Sequence, residues 1–91
     1  MVQDPKARIL TPALCRAARG LLDWSQADLA EHAEISRSTI KDFETGAHDL
    51  HRSTEAQVLR ALAAGGVVLA EVEGRGTGLF LAPATAGSAD G

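Results

Sequence analysis

The chain has little aromatic and little sulfur chemistry. Its 91 residues include no tyrosine, one tryptophan, two phenylalanines and one cysteine. The lone Cys15 excludes an intrachain disulfide, and its helical spacing among apolar residues favours a small core residue over a reactive thiol. Because aromatics are scarce, the core must come from Leu, Ile, Val and Ala, which suits closely packed helices. The composition predicts one small all-α domain.

Three other features are missing from the sequence. No signal peptide and no apolar run of about 20 residues is present, so we expect a cytoplasmic protein without a membrane segment. His32, His48 and His51 match no zinc spacing, and no second cysteine could complete a site, so we expect no metal. No nucleophile–base pair or carboxylate pair is indicated by spacing. We therefore predict a protein that is not an enzyme and needs no cofactor.

Positive charge is also in short supply. Nine Lys and Arg residues face twelve Asp and Glu residues, which gives a net charge of -3. The acidic excess is concentrated in residues 26–53. Because phosphate neutralisation supplies most nonspecific affinity for DNA, this balance is not what a nucleic-acid-binding protein usually shows.

The first half of the chain carries strong signals for the starts of helices. Thr11 followed by Pro12 predicts an N-cap and the first helical residue of helix one. Ser25 and Asp28 have the spacing of a capping box, which predicts that a second helix of about nine residues begins there. The apolar stripe of helix one has three- and four-residue spacing and comprises Leu14, Ala17, Ala18, Leu21 and Leu22.

Two further helices follow, and then the pattern changes. Ser36 is expected to cap a third helix that Gly46 stops, and Ser53 or Thr54 to open a fourth that ends at residues 65–66. The segment "VVLAEVEGRGTGLFLA" then contains two β-prone runs around a glycine-rich turn, which predicts a short hairpin or a paired strand. Because a lone hairpin is marginally stable in water, it should pack on the helices or pair with another chain.

The segment "SQADLAEHAEISRSTIKDFETG", residues 25–46, places two short amphipathic helices only a few residues apart. This arrangement is a helix-turn-helix, in which the second helix, about residues 36–45, is free to enter a major groove. The predicted fold is all-α: a compact four-helix domain with a helix-turn-helix and a short C-terminal β-strand or hairpin. The predicted divisions are a flexible N-terminal arm (1–10), the helix-turn-helix domain (11–66), a β extension for packing or dimerisation (67–82) and a disordered tail (83–91).

The segment "WSQADLAEHAEISRSTIKDFETG" resembles the XRE family of helix-turn-helix regulators, the phage Cro and repressor type. The resemblance covers roughly residues 11–65, and "GGVVLAEVEGRGTGLFLA" resembles the C-terminal extension of small bacterial members. It implies a regulator that binds double-stranded DNA. The matching residues are Gln26, Leu29, Ala30, Ile35, Ser36, Ile40, Glu44 and Gly46.

The resemblance implies that the third helix contacts bases. Arg37, Ser38 and Lys41 match groove-facing positions, with Thr39 and Asp42 as further predicted base contacts. The chemistry agrees independently, because Arg and Lys donate to guanine O6 and N7, and such a pair discriminates by about 1–3 kcal/mol.

The resemblance also implies contacts that orient the domain. Gln26 matches a position that usually contacts a phosphate, and we add Ser36 and Thr45 to the predicted phosphate contacts. Arg19 and Glu44 match a pair that links helix one to the end of helix three. If partly buried, this pair would fix the angle of the recognition helix.

Two features depart from the family pattern. Glu34 stands in the turn where the family usually has glycine, at a position that often needs a positive φ; this costs a non-glycine residue about 1 kcal/mol or more. Glu31, Glu34 and Asp42 also lie close to where phosphates would pass.

Two functional hypotheses follow. The first is a sequence-specific DNA-binding transcriptional regulator, a repressor that occludes a promoter as a homodimer. The second is a protein-binding regulator that inhibits another regulator, as an anti-activator, or serves as an antitoxin. The surface for that second role would comprise Glu31, Glu34, Val68, Leu69, Leu79 and Phe80.

Overall fold

The computed structural model describes residues 9–82, which form four helices followed by a two-stranded sheet. This confirms the predicted fold class of a four-helix unit with a helix-turn-helix and a C-terminal hairpin. The elements are α1 (Pro12–Leu22), α2 (Gln26–Ala33), α3 (Arg37–Glu44), α4 (Arg52–Gly65), β1 (Val67–Val72) and β2 (Gly76–Leu81).

Side-chain caps begin the first three helices. The Thr11 hydroxyl accepts a backbone N–H from the first turn of α1 at 3.1 Å. Ser25 and Asp28 form a complete capping box: the Ser25 hydroxyl accepts the Asp28 N–H at 3.0 Å, and the Asp28 carboxylate accepts the Ser25 N–H at 2.9 Å. The Ser36 hydroxyl caps α3 by accepting the Thr39 N–H at 3.1 Å. Each cap satisfies donors that the helix itself leaves free.

Helix α4 begins earlier than its hydroxyl residues predicted. Its N-cap is His51, which makes no side-chain cap hydrogen bond, and the helix already includes Ser53 and Thr54. Leu50 is buried immediately before this start. Core packing of Leu50, rather than a capping hydroxyl, therefore decides where the helix begins.

The chain entering α1 is anchored further toward the N-terminus than the predicted arm allowed. Leu10 is buried, and its backbone N–H donates to Glu55 Oε2 of α4 at 3.0 Å. The arm expected over residues 1–10 thus does not include Leu10, because a long-range contact replaces hydration of this backbone group. The rest of that segment up to residue 8, and the predicted tail at 83–91, lie outside the described residues.

The core is aliphatic, as the composition indicated. α2 packs against α3 and α4, and α1 packs against the same two helices. Phe43 is the one aromatic side chain among the buried residues of the part that the structure describes. The largest fully buried side chains are Leu29, Ile40, Leu62, Val58, Val67 and Cys15.

Within residues 9–82, no helix combines the length and apolarity needed to cross a membrane.

The hairpin pairs β1 with β2 in antiparallel register, from Val67 opposite Leu81 to Val72 opposite Gly76. Strand alternation divides its side chains between two faces. Val67 is buried, and Leu69 and Leu79 pack against the same core. Leu69 and Leu79, which the sequence assigned to a protein-binding surface, are partly buried against the core, and their contact with a partner stays a prediction.

Two glycines in helices have different surroundings. A Cβ at Gly65, the last residue of α4, would lie 2.8 Å from two ring carbons of Trp24. The Trp24 ring also stacks in parallel on the His32 ring, and the two ring centroids are 4.1 Å apart. Gly20 is exposed in α1, and nothing lies within 4 Å of an added Cβ. The close approach of Trp24 to α4 therefore requires glycine at position 65. The surroundings of Gly20 impose no such requirement.

We predict opposite effects of alanine at these two glycines. Gly20→Ala should raise the free energy of unfolding by about 0.5–1 kcal/mol, because alanine favours a helix. Gly65→Ala should lower it by about 1 kcal/mol, because the added methyl displaces Trp24. Urea unfolding followed by circular dichroism measures both. Stabilisation by Gly65→Ala would show that the Trp24 ring does not pack tightly on α4.

The turn between α2 and α3 adopts the strained conformation that the sequence suggested. Glu34 is the C-cap of α2 and has φ 61° and ψ 44°. The next amide, Ile35 N–H, donates back to the Ala30 carbonyl at 3.0 Å, which closes the helix end. The left-handed geometry belongs to this closure, so a side chain at position 34 carries its steric cost.

Glu34→Gly should therefore stabilise the protein, by about 0.5–1 kcal/mol. Glu31→Gly is the matched control, because Glu31 is an exposed residue inside α2 with helical geometry. That control should destabilise by about 1 kcal/mol. Thermal unfolding of the two variants side by side measures the difference, and equal loss in both would contradict strain at Glu34.

Candidate nucleic-acid interface

Helix α3 is amphipathic, and its burial leaves a polar face free. Ile40 and Phe43 enter the core with exposures of 0% and 5%. Their positions fix which side of this eight-residue helix faces outward. On that outward side Arg37, Ser38 and Lys41 are exposed. The three side chains thus form a polar strip along the first half of α3.

The other two predicted base contacts are less accessible. Thr39 and Asp42 are half-buried. The Thr39 hydroxyl lies 2.7 Å from Ser36 Oγ, and its backbone N–H donates to the same oxygen at 3.1 Å. Thr39 therefore takes part in the cap of α3. The sequence predicted five base contacts on α3. In the structure three of these side chains are exposed, whereas those of Thr39 and Asp42 are half-buried.

Each predicted phosphate contact has a partner inside the protein. Ser36 Oγ serves the α3 cap and also lies 3.2 Å from Ser38 Oγ. The Thr45 hydroxyl donates to a backbone carbonyl of α3 at 3.2 Å. The Gln26 side-chain amide donates to Glu44 Oε1 at 3.1 Å. These bonds position the three side chains at the ends of α2 and α3, and their contact with phosphate stays a prediction.

An ion pair joins α1 to the end of α3. Arg19 Nε donates to Glu44 Oε2 at 2.8 Å, and Arg19 Nη2 donates to Glu44 Oε1 at 2.7 Å. The side chain of Glu44 is 2% exposed and that of Arg19 is 18% exposed. Arg19 also donates to the Trp24 carbonyl at 3.0 Å, and Arg16 donates to the Glu44 carbonyl at 2.7 Å. Four donors from α1 therefore hold the α3 terminus and the loop before α2.

The charged state of Glu44 is maintained despite burial. Burial by itself would raise the pKa of this carboxyl, but hydrogen bonds from Arg19, Gln26 and Cys15 outweigh burial and lower its pKa. The bond to Glu44 raises the pKa of Arg19. Burial and then Glu44 raise the pKa of the Cys15 thiol, so this sulfur stays protonated and donates to the carboxylate.

Three of the groups around Glu44 were missed by sequence reasoning. Cys15 and Arg16 lie one turn before Arg19 in α1, so all three approach the same end of α3. Helical spacing could have indicated this cluster. Gln26 was assigned to phosphate instead, and only the packing of α2 beside α3 brings its amide to Glu44.

The acidic residues assigned to a protein-binding role belong to the last turn of α2 and its C-cap. Glu31 and Glu34 are exposed at the end of α2. Glu34 also lines an open groove of about 250 Å³ between α2 and α4, where the Gln57 amide donates to the Ala33 carbonyl at 3.1 Å. Among residues 9–82, no three His, Cys, Asp or Glu side chains are grouped so that they could hold a metal ion.

A family model described as a helix-turn-helix domain matches residues 13–72. The chain belongs to this helix-turn-helix family. The matched range covers nearly all of α1, the other three helices and β1, and therefore includes the interface and the ion pair that positions it. No curated protein matches the chain. The match supports a DNA-binding regulator of the helix-turn-helix type, and the narrower XRE assignment remains a prediction.

The Glu44 carboxylate should make stability depend on pH. Its pKa is lowered in the folded state, so its contribution is present above the ordinary carboxyl pKa and is lost as pH falls through the folded value. Glu44→Gln should lower the free energy of unfolding near neutral pH by about 2 kcal/mol and reduce its fall under acid conditions.

Urea unfolding between about pH 7 and pH 3 tests this, with exposed Glu31→Gln as the matched control. Some acid dependence should remain in Glu44→Gln, because the Ser25 backbone N–H lowers the pKa of Asp28. If the two variants show the same pH dependence as the wild type, the ion pair contributes no net stability.

Proposed function

We propose that this chain is a sequence-specific DNA-binding transcriptional regulator that reads base edges with α3. The observation that carries the proposal is the exposed strip of Arg37, Ser38 and Lys41 on a helix whose other face is buried. In a helix-turn-helix the N-terminal residues of the second helix contact bases, while the first helix crosses the phosphate backbone. Arg37 and Ser38 are the first two residues of α3, and Lys41 lies one turn after Arg37.

The strip has the donors that direct readout requires. An Arg guanidinium donates two parallel bonds to guanine O6 and N7, and a Lys ammonium donates to the same atoms. The Ser38 hydroxyl can donate to, or accept from, either a base or a phosphate. Arg37 is the first residue of α3, and its side chain is exposed.

The ion pair supports this function by holding the helix at one angle. A bidentate Arg–carboxylate pair restricts both distance and orientation. Arg19 belongs to α1, which also packs on α4, so α3 is tied to the core through Glu44. Base readout needs contact geometry within about 0.5 Å, and a helix anchored at Glu44 meets that need better than a free one.

The proposal includes a homodimer that represses by occluding a promoter. Each copy presents two cations on α3, Arg37 and Lys41. Two cations neutralise few phosphates, and a second copy doubles the number. Occlusion requires nothing beyond DNA binding and is the simplest mode of regulation. The proposal implies a cytoplasmic protein without a catalytic role.

Substitution of Arg37 tests direct readout. A duplex first selected from a random library by the wild-type protein is titrated by fluorescence anisotropy at two salt concentrations. Arg37→Ala should weaken binding by about 10- to 100-fold and relax specificity, because a bidentate base contact is lost. Arg60→Ala is the matched control, because Arg60 is an exposed arginine on α4.

The outcomes separate the two functional hypotheses. Strong, salt-sensitive binding that falls in Arg37→Ala and persists in Arg60→Ala supports the proposal. Weak binding that does not depend on sequence, and that changes equally in both variants, overturns it. Function would then be sought in the acidic surface that includes Glu31 and Glu34.

A further inference from the structure

The hairpin has one face that no described element covers. We call it the outer face and define it by Val68, Ala70, Val72, Gly76, Gly78 and Phe80, which alternate with the residues of the opposite face. Val68 is 42% exposed and Phe80 is 45% exposed. No residue of the outer face carries a charge or a polar side chain. An apolar sheet face open to water is unusual unless a partner covers it.

The hydrogen-bonding pattern between β1 and β2 shows which backbone groups of β2 point away from β1. The Ala82 N–H donates to the Gly66 carbonyl at 2.6 Å, which marks this pair as hydrogen-bonded. Hydrogen-bonded and non-hydrogen-bonded pairs alternate in an antiparallel ladder. Phe80 and Gly78 therefore bond to β1, and the backbone groups of Thr77, Leu79 and Leu81 point away from it. No backbone bond to these three is made by another element within residues 9–82.

This edge lacks the usual protection against pairing. Natural edge strands are blunted by charged side chains, by proline or by a covering element. β2 reads "GTGLFL" and has no charge and no proline, whereas β1 contains Glu71. β1 packs against α1 and α4, and β2 packs against β1 and α1. β2 is thus an uncharged strand with three outward peptide groups.

We propose that the β2 edge pairs with β2 of a second copy of this chain, which would give one four-stranded antiparallel sheet. An isologous contact uses the same patch on both copies, so the patch must not repel itself. An uncharged edge beside an apolar face meets this condition, whereas the acidic helices do not. The proposal rests on the proposed function, because it names the surface through which two DNA-binding copies associate.

One register uses every outward peptide group. It places Leu79 opposite Leu79 of the second copy, and Thr77 opposite Leu81 of the second copy. Each Phe80 then lies opposite a Gly78 across the new edge, where no Cβ obstructs the ring. The Phe80 ring already extends toward Gly78 of its own strand, at 3.1 Å from where a Cβ would stand.

The proposed contact buries little surface, so the affinity between two free copies should be low. A six-residue strand is about 20 Å long, so edge pairing and the adjoining outer faces bury a few hundred Å² per copy. Stable dimers bury about 800 Å² per partner. The free protein should therefore associate weakly. Two copies on adjacent half-sites should pair far more readily, because DNA raises their effective concentration.

Sedimentation equilibrium tests self-association over about 10–500 µM. Wild type should shift toward dimer at the upper end. Phe80→Glu should remain monomeric, because it places two like charges across the contact. Leu21→Glu is the matched control, since Leu21 is also 45% exposed but lies on α1. It should dimerise as wild type does.

Amide hydrogen exchange on unmodified protein tests the edge without any variant. The N–H groups of Thr77, Leu79 and Leu81 should exchange fast at low concentration and at least about tenfold more slowly when dimer predominates. The N–H groups of Gly78 and Phe80 provide an internal control, because they bond to β1 at every concentration.

The outcomes also distinguish this inference from the proposed function. A wild type that is monomeric at every concentration and binds its selected duplex as one copy would overturn edge pairing and leave base readout by α3 intact. The same holds if the protein dimerises but Phe80→Glu does not weaken the dimer. A dimer lost only in Phe80→Glu, whose remaining DNA binding still depends on Arg37, supports both. A dimer that binds no DNA supports edge pairing and overturns the proposed function.

Discussion

The bidentate pair between Arg19 and Glu44 is the contact on which the rest of this small domain depends. α2 and α3 are eight residues each, too short to bury much surface against one another. Their relative position comes from helices that precede and follow them, and Glu44 is where that support reaches the end of α3. A buried carboxylate is tolerated there because Arg19, Gln26 and Cys15 all donate to it.

The same contact explains how so small a core can present a rigid surface. The aliphatic side chains of the core pack without strong directional preference, so they specify burial better than they specify angle. The Arg19 guanidinium adds direction, and it also donates to the Trp24 carbonyl in the loop before α2. Burial of the core supplies the free energy of folding, and the bonds of Arg19 to Glu44 and to the Trp24 carbonyl set the orientation of α3.

The hairpin at the other end of the chain poses a different physical problem. Its inner face completes the core through Val67, Leu69 and Leu79. The outer face and the β2 edge remain open, although both are apolar or uncharged. An exposed, uncharged edge strand of this kind lowers solubility unless another strand pairs with it. In the proposals made above, α3 contacts DNA and the hairpin contacts another copy.

Much of the local structure could be predicted because its causes are local. Thr11 with Pro12, the Ser25–Asp28 capping box and Ser36 specify three helix starts through hydrogen bonds made within one turn. The amphipathic pattern of α3 likewise decides which of its residues face outward. The start of α4 could not be found in this way, because it follows from burial of the chain before His51 and not from a cap.

The sequence by itself determined the four helices, the helix-turn-helix and the hairpin, because capping and periodicity act over a few neighbouring residues. It also indicated the positive φ at Glu34, through the resemblance to a family that usually has glycine at this position. Only the tertiary structure decided that Gln26 turns toward Glu44, that Leu10 is anchored by Glu55 and that Leu69 and Leu79 face inward. Each of these depends on contacts between distant parts of the chain, and such contacts exist only once the helices have packed.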